Sequence, residues 1–304
     1  MLDRPLCKLL HGEYIKPRVA HSAYCFFRTP NREGKNGVTP ENYVEYCKEL
    51  IRQFGFQCLK LKMGTYPPEV EVELVHQVRR AVGEKIALRM DLNGAWSFSS
   101  APQAIRKLGD CGMEYLEDPL TQYRGYDYRG MHLLRQRTLI PIAADGHYTP
   151  SRLVELVRYD AADVVLGDIT GAGGIQSAMR FCRMAQAFDL GLSMHSGYEC
   201  GVRIAARAQV AAAFPGLHHP IDMHYHHLVD DVIAGGMHPI EGGCITVGDK
   251  PGLGVELDPE KLDKYRWTPE KHEANQRIRA ELIDRYQVVP ADTWRPDLGS
   301  YPYY

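Results

Sequence analysis

Short apolar runs alternate along most of the chain with longer stretches whose apolar residues recur at helical spacing. Strands are expected at about Arg18 to Phe27, Cys58 to Met63, Ile86 to Met90, Met113 to Leu116, Pro141 to Ala144, Val164 to Leu166 and Leu192 to Met194, with a last one near Pro220 to His224. Between them the pattern predicts helices over Pro68 to Val82, Ala101 to Leu108, Tyr128 to Arg137, Ser151 to Arg158, Ile175 to Phe188 and Cys200 to Phe214. An earlier helix is expected to open at Thr39-Pro40-Glu41, with Thr39 as N-cap. It carries Tyr43, Cys47, Leu50, Ile51 and Phe54 on one face and stops at Gly55. Strand and helix alternate about eight times, which is the requirement of a (β/α)8 barrel of the TIM type in the α/β class. An open doubly wound sheet is the alternative, but no GxGxxG follows the first strand. Gly171-Ala172-Gly173-Gly174 opens a helix late in the chain and carries little weight as a phosphate loop. Beyond about residue 226 the pattern is loop-rich, with one helix at Pro269 to Tyr286 and a tail of tyrosine and proline.

At 304 residues, with 44% hydrophobic and 24% charged side chains, the chain has ample material for a buried core. A net charge of -2 with dispersed Lys and Arg argues for neither a nucleic-acid nor a membrane partner, and the longest apolar stretches are too short to span a bilayer. The eight cysteines form no CxxC pair and mostly sit in apolar contexts, as expected of reduced thiols in a cytoplasmic protein.

Candidate chemistry begins at Cys58-Leu59-Lys60-Leu61-Lys62-Met63-Gly64, where alternation puts Lys60 and Lys62 on one face. Two buried ammonium groups so close should depress at least one pKa toward the range of a base. Taken alone, charged protection of an edge strand explains the pair better. The strands that follow change that balance. The third ends in Asp91, the fourth in Glu117, the fifth in Asp145, the sixth in Asp168 and the seventh in His195. In a barrel these ends converge on the catalytic face. Single acids there are commonly helix caps, but a whole series is a poor fit to capping. Asp91, Glu117 and Asp145 together call for a hard divalent cation, and an all-oxygen set suits Mg²⁺. A Zn²⁺ site from His218, His219, His224, His226 and His227 is a weaker alternative. Next to Mg²⁺, the α-proton of a bound carboxylate becomes acidic because the developing enediolate is stabilised. Lys62 could take that proton from one face and His195, hydrogen-bonded to Asp168, could serve the other, with Lys60 a permanent cation.

These residues also carry a resemblance. Lys60-Leu61-Lys62, Asp91-Leu92-Asn93-Gly94-Ala95-Trp96, Glu117-Asp118-Pro119, Asp168 and Met194-His195-Ser196 resemble the enolase superfamily, and within it the mandelate racemase subgroup. The resemblance implies Asp91, Glu117 and Asp145 as Mg²⁺ ligands, Lys62 and His195 as the acid/base pair, and Lys60 and Asp168 in support. Asp222-Met223-His224-Tyr225 and Lys250-Pro251-Gly252-Leu253-Gly254-Val255 are similar to segments of glucarate dehydratases and related acid-sugar dehydratases. That similarity implies loss of water from an acid sugar to give a 2-keto-3-deoxy acid, with Asn93, Ser196 and His224 as substrate contacts. One departure is Asp145 itself, within Ala143-Ala144-Asp145-Gly146-His147, where many relatives carry Glu or Asn in a different context. The other is at the front: residues 1–17 resemble the connection that follows the family's α+β capping domain, so the expectation is a barrel at 18–225, an extension at 226–304 that wraps it, and a cap mostly absent. A homo-oligomer, or a separate chain that supplies the cap, is implied. Three readings stay open: a dehydratase, a racemase or epimerase using the same two bases, and an inert barrel that binds a partner.

Overall fold

In a computed structural model of the protein, which describes residues 3–11, 16–28, 30–31, 33–120, 126–197 and 199–286, eight parallel strands curl into a (β/α)8 barrel. They are β1 (Arg18–Cys25), β2 (Cys58–Lys62), β3 (Ala87–Asp91), β4 (Met113–Glu117), β5 (Ile142–Ala144), β6 (Val164–Gly167), β7 (Gly191–Met194) and β8 (Ile221–Met223). Hydrogen-bonded neighbours run in the order β7-β6-β5-β4-β3-β2-β1-β8. Among the described residues β7 and β8 share no ladder; instead Ser193 Oγ donates to the Pro220 carbonyl at 2.9 Å across the seam. A ninth strand, β9 (Cys244–Thr246), pairs antiparallel with the start of β1.

Helices α1 (Leu6–His11), α2 (Tyr43–Phe54), α3 (Pro68–Val82), α4 (Ala101–Leu108), α5 (Tyr128–Arg135), α6 (Pro150–Arg158), α7 (Ile175–Ala187) and α8 (Gly201–Ala213) precede or follow the strands, and α9 (Pro259–Tyr265) and α10 (Pro269–Tyr286) come after the barrel. Helix α2 starts later than the sequence pattern predicts. The Asn42 N–H donates to the Thr39 carbonyl at 3.2 Å and the Asn42 side chain accepts from the Thr39 N–H at 2.8 Å, which closes a turn over residues 39–42. The helix begins at Tyr43, and the Thr39 hydroxyl donates to Glu41 Oε2 at 2.5 Å instead of capping it. Its end is as expected: Gly55, at φ 72°, takes the left-handed conformation and returns its N–H to Ile51. The tyrosine- and proline-rich tail expected to wrap the barrel lies outside the described residues.

Alternation along the strands sorts the core. Outward positions such as Leu59, Leu61, Leu88, Met90, Leu116 and Val165 join the main apolar cluster beneath the helices, while Tyr115, Ala143, Val164 and Leu166 form a small cluster of their own. The register sets Tyr24 beside Lys60, Lys60 beside Arg89, and Arg89 beside Tyr115, so one inward layer is unusually polar. Arg89 is fully buried. It donates to Glu114 Oε2 at 2.5 Å, to the Pro220 carbonyl at 2.8 Å and to Asp222 Oδ1 at 3.2 Å, and lies over the Tyr115 ring at 4.7 Å. His219 donates to the other Glu114 oxygen at 2.7 Å, so this cluster ties β3, β4 and the approach to β8 together across the barrel floor.

Breaking a buried ion pair from one side leaves its partner charged and unpaired. Arg89→Met should therefore lower stability by about 3–5 kcal/mol in urea unfolding. A loss under about 1 kcal/mol would show that the floor does not depend on it.

Candidate active site

The register that builds the floor also builds the mouth. Lys62 pairs with Asp91, Asp91 with Glu117, and Glu117 with Ala143, so these side chains project from neighbouring strand ends. The ladder continues past the strands: Met63 N–H donates to the Asp91 carbonyl, Leu92 N–H to that of Glu117, and Asp118 N–H to that of Ala143. Two residues in this rim, Asn93 (φ 44°) and Asp118 (φ 41°), hold left-handed backbone conformations without being glycine. Asn and Asp tolerate that region best, and such conformations collect at functional sites. After β2, the buried Glu71 carboxylate accepts from the N–H groups of Gly64, Thr65 and Tyr66, which fixes the loop that follows Lys62.

Lys60 is fully buried and its ammonium meets three carboxylates. It donates to Glu117 Oε1 at 2.7 Å and Oε2 at 2.6 Å and to Asp222 Oδ2 at 2.7 Å, and Asp91 Oδ2 lies 3.1 Å away. Burial opposes its charge, but Asp222, Asp91 and Glu117 overcome that and hold its pKa well above the usual lysine range. Tyr24, on β1, donates to Asp222 Oδ2 at 3.0 Å, and its ring lies 4.9 Å from the Lys60 ammonium. The lysine pair is thus neither an edge device nor a pair of naked cations. β2 lies inside the sheet, and Asp91 Oδ2 sits between the two ammonium groups, 2.6 Å from Lys62 Nζ. Mutual repulsion is answered by an interposed carboxylate. Lys62 also donates to Asn93 Oδ1 at 2.6 Å and is partly open to the mouth.

On the other side of the mouth the arrangement departs from expectation. His195 is expected beside Asp168, yet its Nδ1 lies 3.1 Å from Asp145 Oδ2. Burial pulls the imidazole pKa down, the Asp145 carboxylate pushes it up, and the net shift is upward. Asp168 instead takes Arg203 Nη2 at 2.9 Å on both of its oxygens and accepts from the Thr170 N–H at 2.7 Å. Arg203 comes from the first turn of α8 and supplies a permanent charge, which satisfies Asp168 without an imidazole.

The expected cation ligands divide in a similar way. Oxygen atoms of Glu117 and Asp145 and a His195 ring nitrogen all lie within 4.8 Å of one another. Asp91 faces the two lysines. Burial and the neighbouring carboxylates push Glu117 and Asp118 well above the usual acid range, with Asp91 and Asp222 acting on Glu117 and Asp145 and Asp91 on Asp118. Four acids, Asp91, Glu117, Asp118 and Asp145, crowd the mouth against Lys60 and Lys62, and the donors facing it are mainly oxygen. The residues present fit a hard divalent cation.

Ser196 and His224 are expected to contact substrate. The structure places Ser196 fully buried, donating to Glu199 Oε1 at 2.8 Å and accepting from the His224 N–H at 3.0 Å, so it ties the ends of β7 and β8 together. His224 packs edge-on against Tyr24, with ring centroids 4.2 Å apart. Behind them the buried Arg207 pairs with Glu199 and donates to the Asp222 carbonyl at 2.6 Å. Tyr24, Arg89, Arg203 and Tyr148 escaped the sequence reading, and Asp222 was noted only within a similar segment. Tyr24 and Asp222 stand in register with Lys60 and Ser22 respectively, so the alternation that marks Lys60 on β2 also marks them on β1 and β8.

With this geometry described, comparison with known proteins gives a consistent result. The chain is 34% identical over 271 residues to a probable glucarate dehydratase of Streptomyces coelicolor, an alignment covering 86% of this chain and 61% of that protein. It is 31% identical over 221 residues to the L-Ala-D/L-Glu epimerase of Bacillus subtilis, covering 71% of this chain and 59% of the relative. Among solved structures, an enolase of Pseudomonas fluorescens with bound magnesium, potassium and tartrate superposes with a TM-score of 0.82 at 30% identity, over 100% of this chain and 70% of that one. The chain therefore spans about three fifths of the length of these curated relatives. Residues 42–261 match the model of the enolase C-terminal domain-like family, and the chain belongs to that family.

Proposed function

We propose that the protein is a Mg²⁺-dependent acid-sugar dehydratase, acting in the cytoplasm on a sugar carboxylate that carries a hydroxyl on its β-carbon. The observation that carries this reading is the placement of Lys62 and His195 on β2 and after β7, with the carboxylates of β3, β4 and β5 between them on one arc of the mouth. The similarity to a probable glucarate dehydratase supports it. Glu117 and Asp145, with Asp91 beside them, would hold the Mg²⁺, which supplies the positive charge that acidifies a proton next to a carboxylate. Lys62 Nζ, as the neutral amine, takes that proton and becomes the ammonium. Lys60 stays cationic among its three carboxylates and fixes Asp91 and Glu117 in place. His195 gives a proton to the β-hydroxyl, which leaves as water, and the enol so formed tautomerises to the 2-keto-3-deoxy acid. Asn93 holds the Lys62 ammonium in position through its side-chain carbonyl.

A second reading is a racemase or epimerase. Two proton carriers flanking one carbon are what inversion needs, and the similarity to an epimerase favours it.

Incubation of a panel of aldarate and aldonate sugars with Mg²⁺ should release a 2-keto acid from at least one of them. Lys62→Ala should lower that rate by at least about 10²-fold, the usual worth of a positioned base. Inversion at the α-carbon with no 2-keto product would instead favour the epimerase, and neither product from any acid sugar would contradict both readings. Chelation with EDTA should abolish turnover and added Mg²⁺ restore it; undiminished activity after chelation would remove the cation from the account.

A further inference from the structure

The glycine-rich stretch after β6 has no part in the chemistry above, yet Gly171 touches the site. A Cβ built on Gly171 would overlap the Tyr148 ring, with Cδ2, Cε2 and Cγ of that ring as its nearest neighbours. Gly171 is not among the residues with positive φ, so close approach of the ring, rather than backbone conformation, is what requires a glycine there. The Tyr148 ring also meets Phe181 of α7 edge-on, with centroids 6.4 Å apart. At the far end of the same side chain the hydroxyl donates to Asp145 Oδ1. The other oxygen, Oδ2, is the one that lies 3.1 Å from His195. The backbone of the loop is held as well: His147 Nδ1 donates to the Asp145 carbonyl at 2.7 Å, and Arg152 Nη1 to the Gly146 carbonyl at 3.1 Å.

We propose that Tyr148 is a positioning residue for the cation site, wedged on Gly171 so that its hydroxyl occupies Asp145 Oδ1 and leaves Oδ2 as the single oxygen that Asp145 offers to a divalent cation. The inference rests on the reading of Glu117 and Asp145 as ligands. A hydrogen bond to the outer oxygen fixes the carboxylate's rotation before the cation arrives, so less order has to be imposed on binding. Partners of this kind are typically worth 10- to 100-fold in metal affinity. The arrangement also explains how the short side chain of Asp145 can hold a fixed orientation at this position.

The test uses Mn²⁺ as a paramagnetic stand-in for Mg²⁺, with free Mn²⁺ followed by electron paramagnetic resonance in titrations of the wild type, Tyr148→Phe and Gly171→Ala. Tyr148→Phe keeps the ring and removes the hydroxyl. Gly171→Ala keeps the hydroxyl and displaces the ring. Both should weaken Mn²⁺ binding by about 10- to 100-fold, while circular dichroism of both remains that of the wild type. A tyrosine that merely fills space would leave the affinity of Tyr148→Phe unchanged, and that result overturns the proposal even if Gly171→Ala binds weakly. If Tyr148→Phe does not fold, Gly171→Ala carries the test alone, and wild-type affinity in it overturns the proposal. Failure of the wild type to bind Mn²⁺ overturns the cation reading beneath it, an outcome separate from a variant that binds as the wild type does.

Discussion

The ammonium of Lys60 holds the inside of this barrel together. It is sealed from water and balanced by Glu117, Asp222 and Asp91, which come from three different strands. An isolated lysine could not stay charged there. Each depends on the others' geometry, and β2, β3, β4 and β8 are held in register partly by that dependence. Arg89 serves the same function one layer down, where it meets the second oxygen of Asp222. Tyr24 closes the gap on the β1 side.

This buried charge divides the barrel interior into two arcs. From β4 to β6 the interior is apolar, with Tyr115, Ala143, Val164 and Leu166 in contact, and polar groups return only at the strand ends, as Asp145 and Asp168. From β8 through β1 to β3 it is polar down to the floor. Lys62 and His195 stand over different arcs. Lys62 belongs to the charged one and is steadied by Asp91 and Asn93, whereas His195 rises from the seam between β7 and β8 and leans on Asp145. A titratable group on each side of a carboxylate cluster follows from the strand order.

Most of the architecture was legible in the sequence because its signals are local. Apolar alternation gave every strand of the barrel to within a few residues, and Gly55 ended α2 where its left-handed conformation requires. The ionisable residue at each strand end was also readable, since a barrel brings those ends together whatever their partners. Partner choice was not readable. His195 next to Asp145 and Asp168 next to Arg203 depend on where α8 sits over the mouth, and no spacing along the chain encodes that. Ser196 reads as a polar group after a strand end, and only the fold shows that Glu199 and His224 already use it. Thr39 failed as a cap for a local reason, because its hydroxyl is turned to the Glu41 carboxylate and not to a backbone N–H.

The central claim is that Lys62 takes the proton from the carbon next to a bound carboxylate while His195 serves as the second proton carrier, and the fate of that proton in deuterium oxide reads this directly. With Mg²⁺ and an acid sugar in deuterium oxide, proton NMR should show the substrate's α-proton signal fall, either replaced by deuterium in recovered substrate or lost as the α-carbon becomes the product's carbonyl, with deuterium then on the neighbouring carbon. The double variant Lys62→Ala/His195→Asn should leave it intact. An α-proton that persists with the wild-type protein, or that exchanges just as fast with the double variant, would contradict the account.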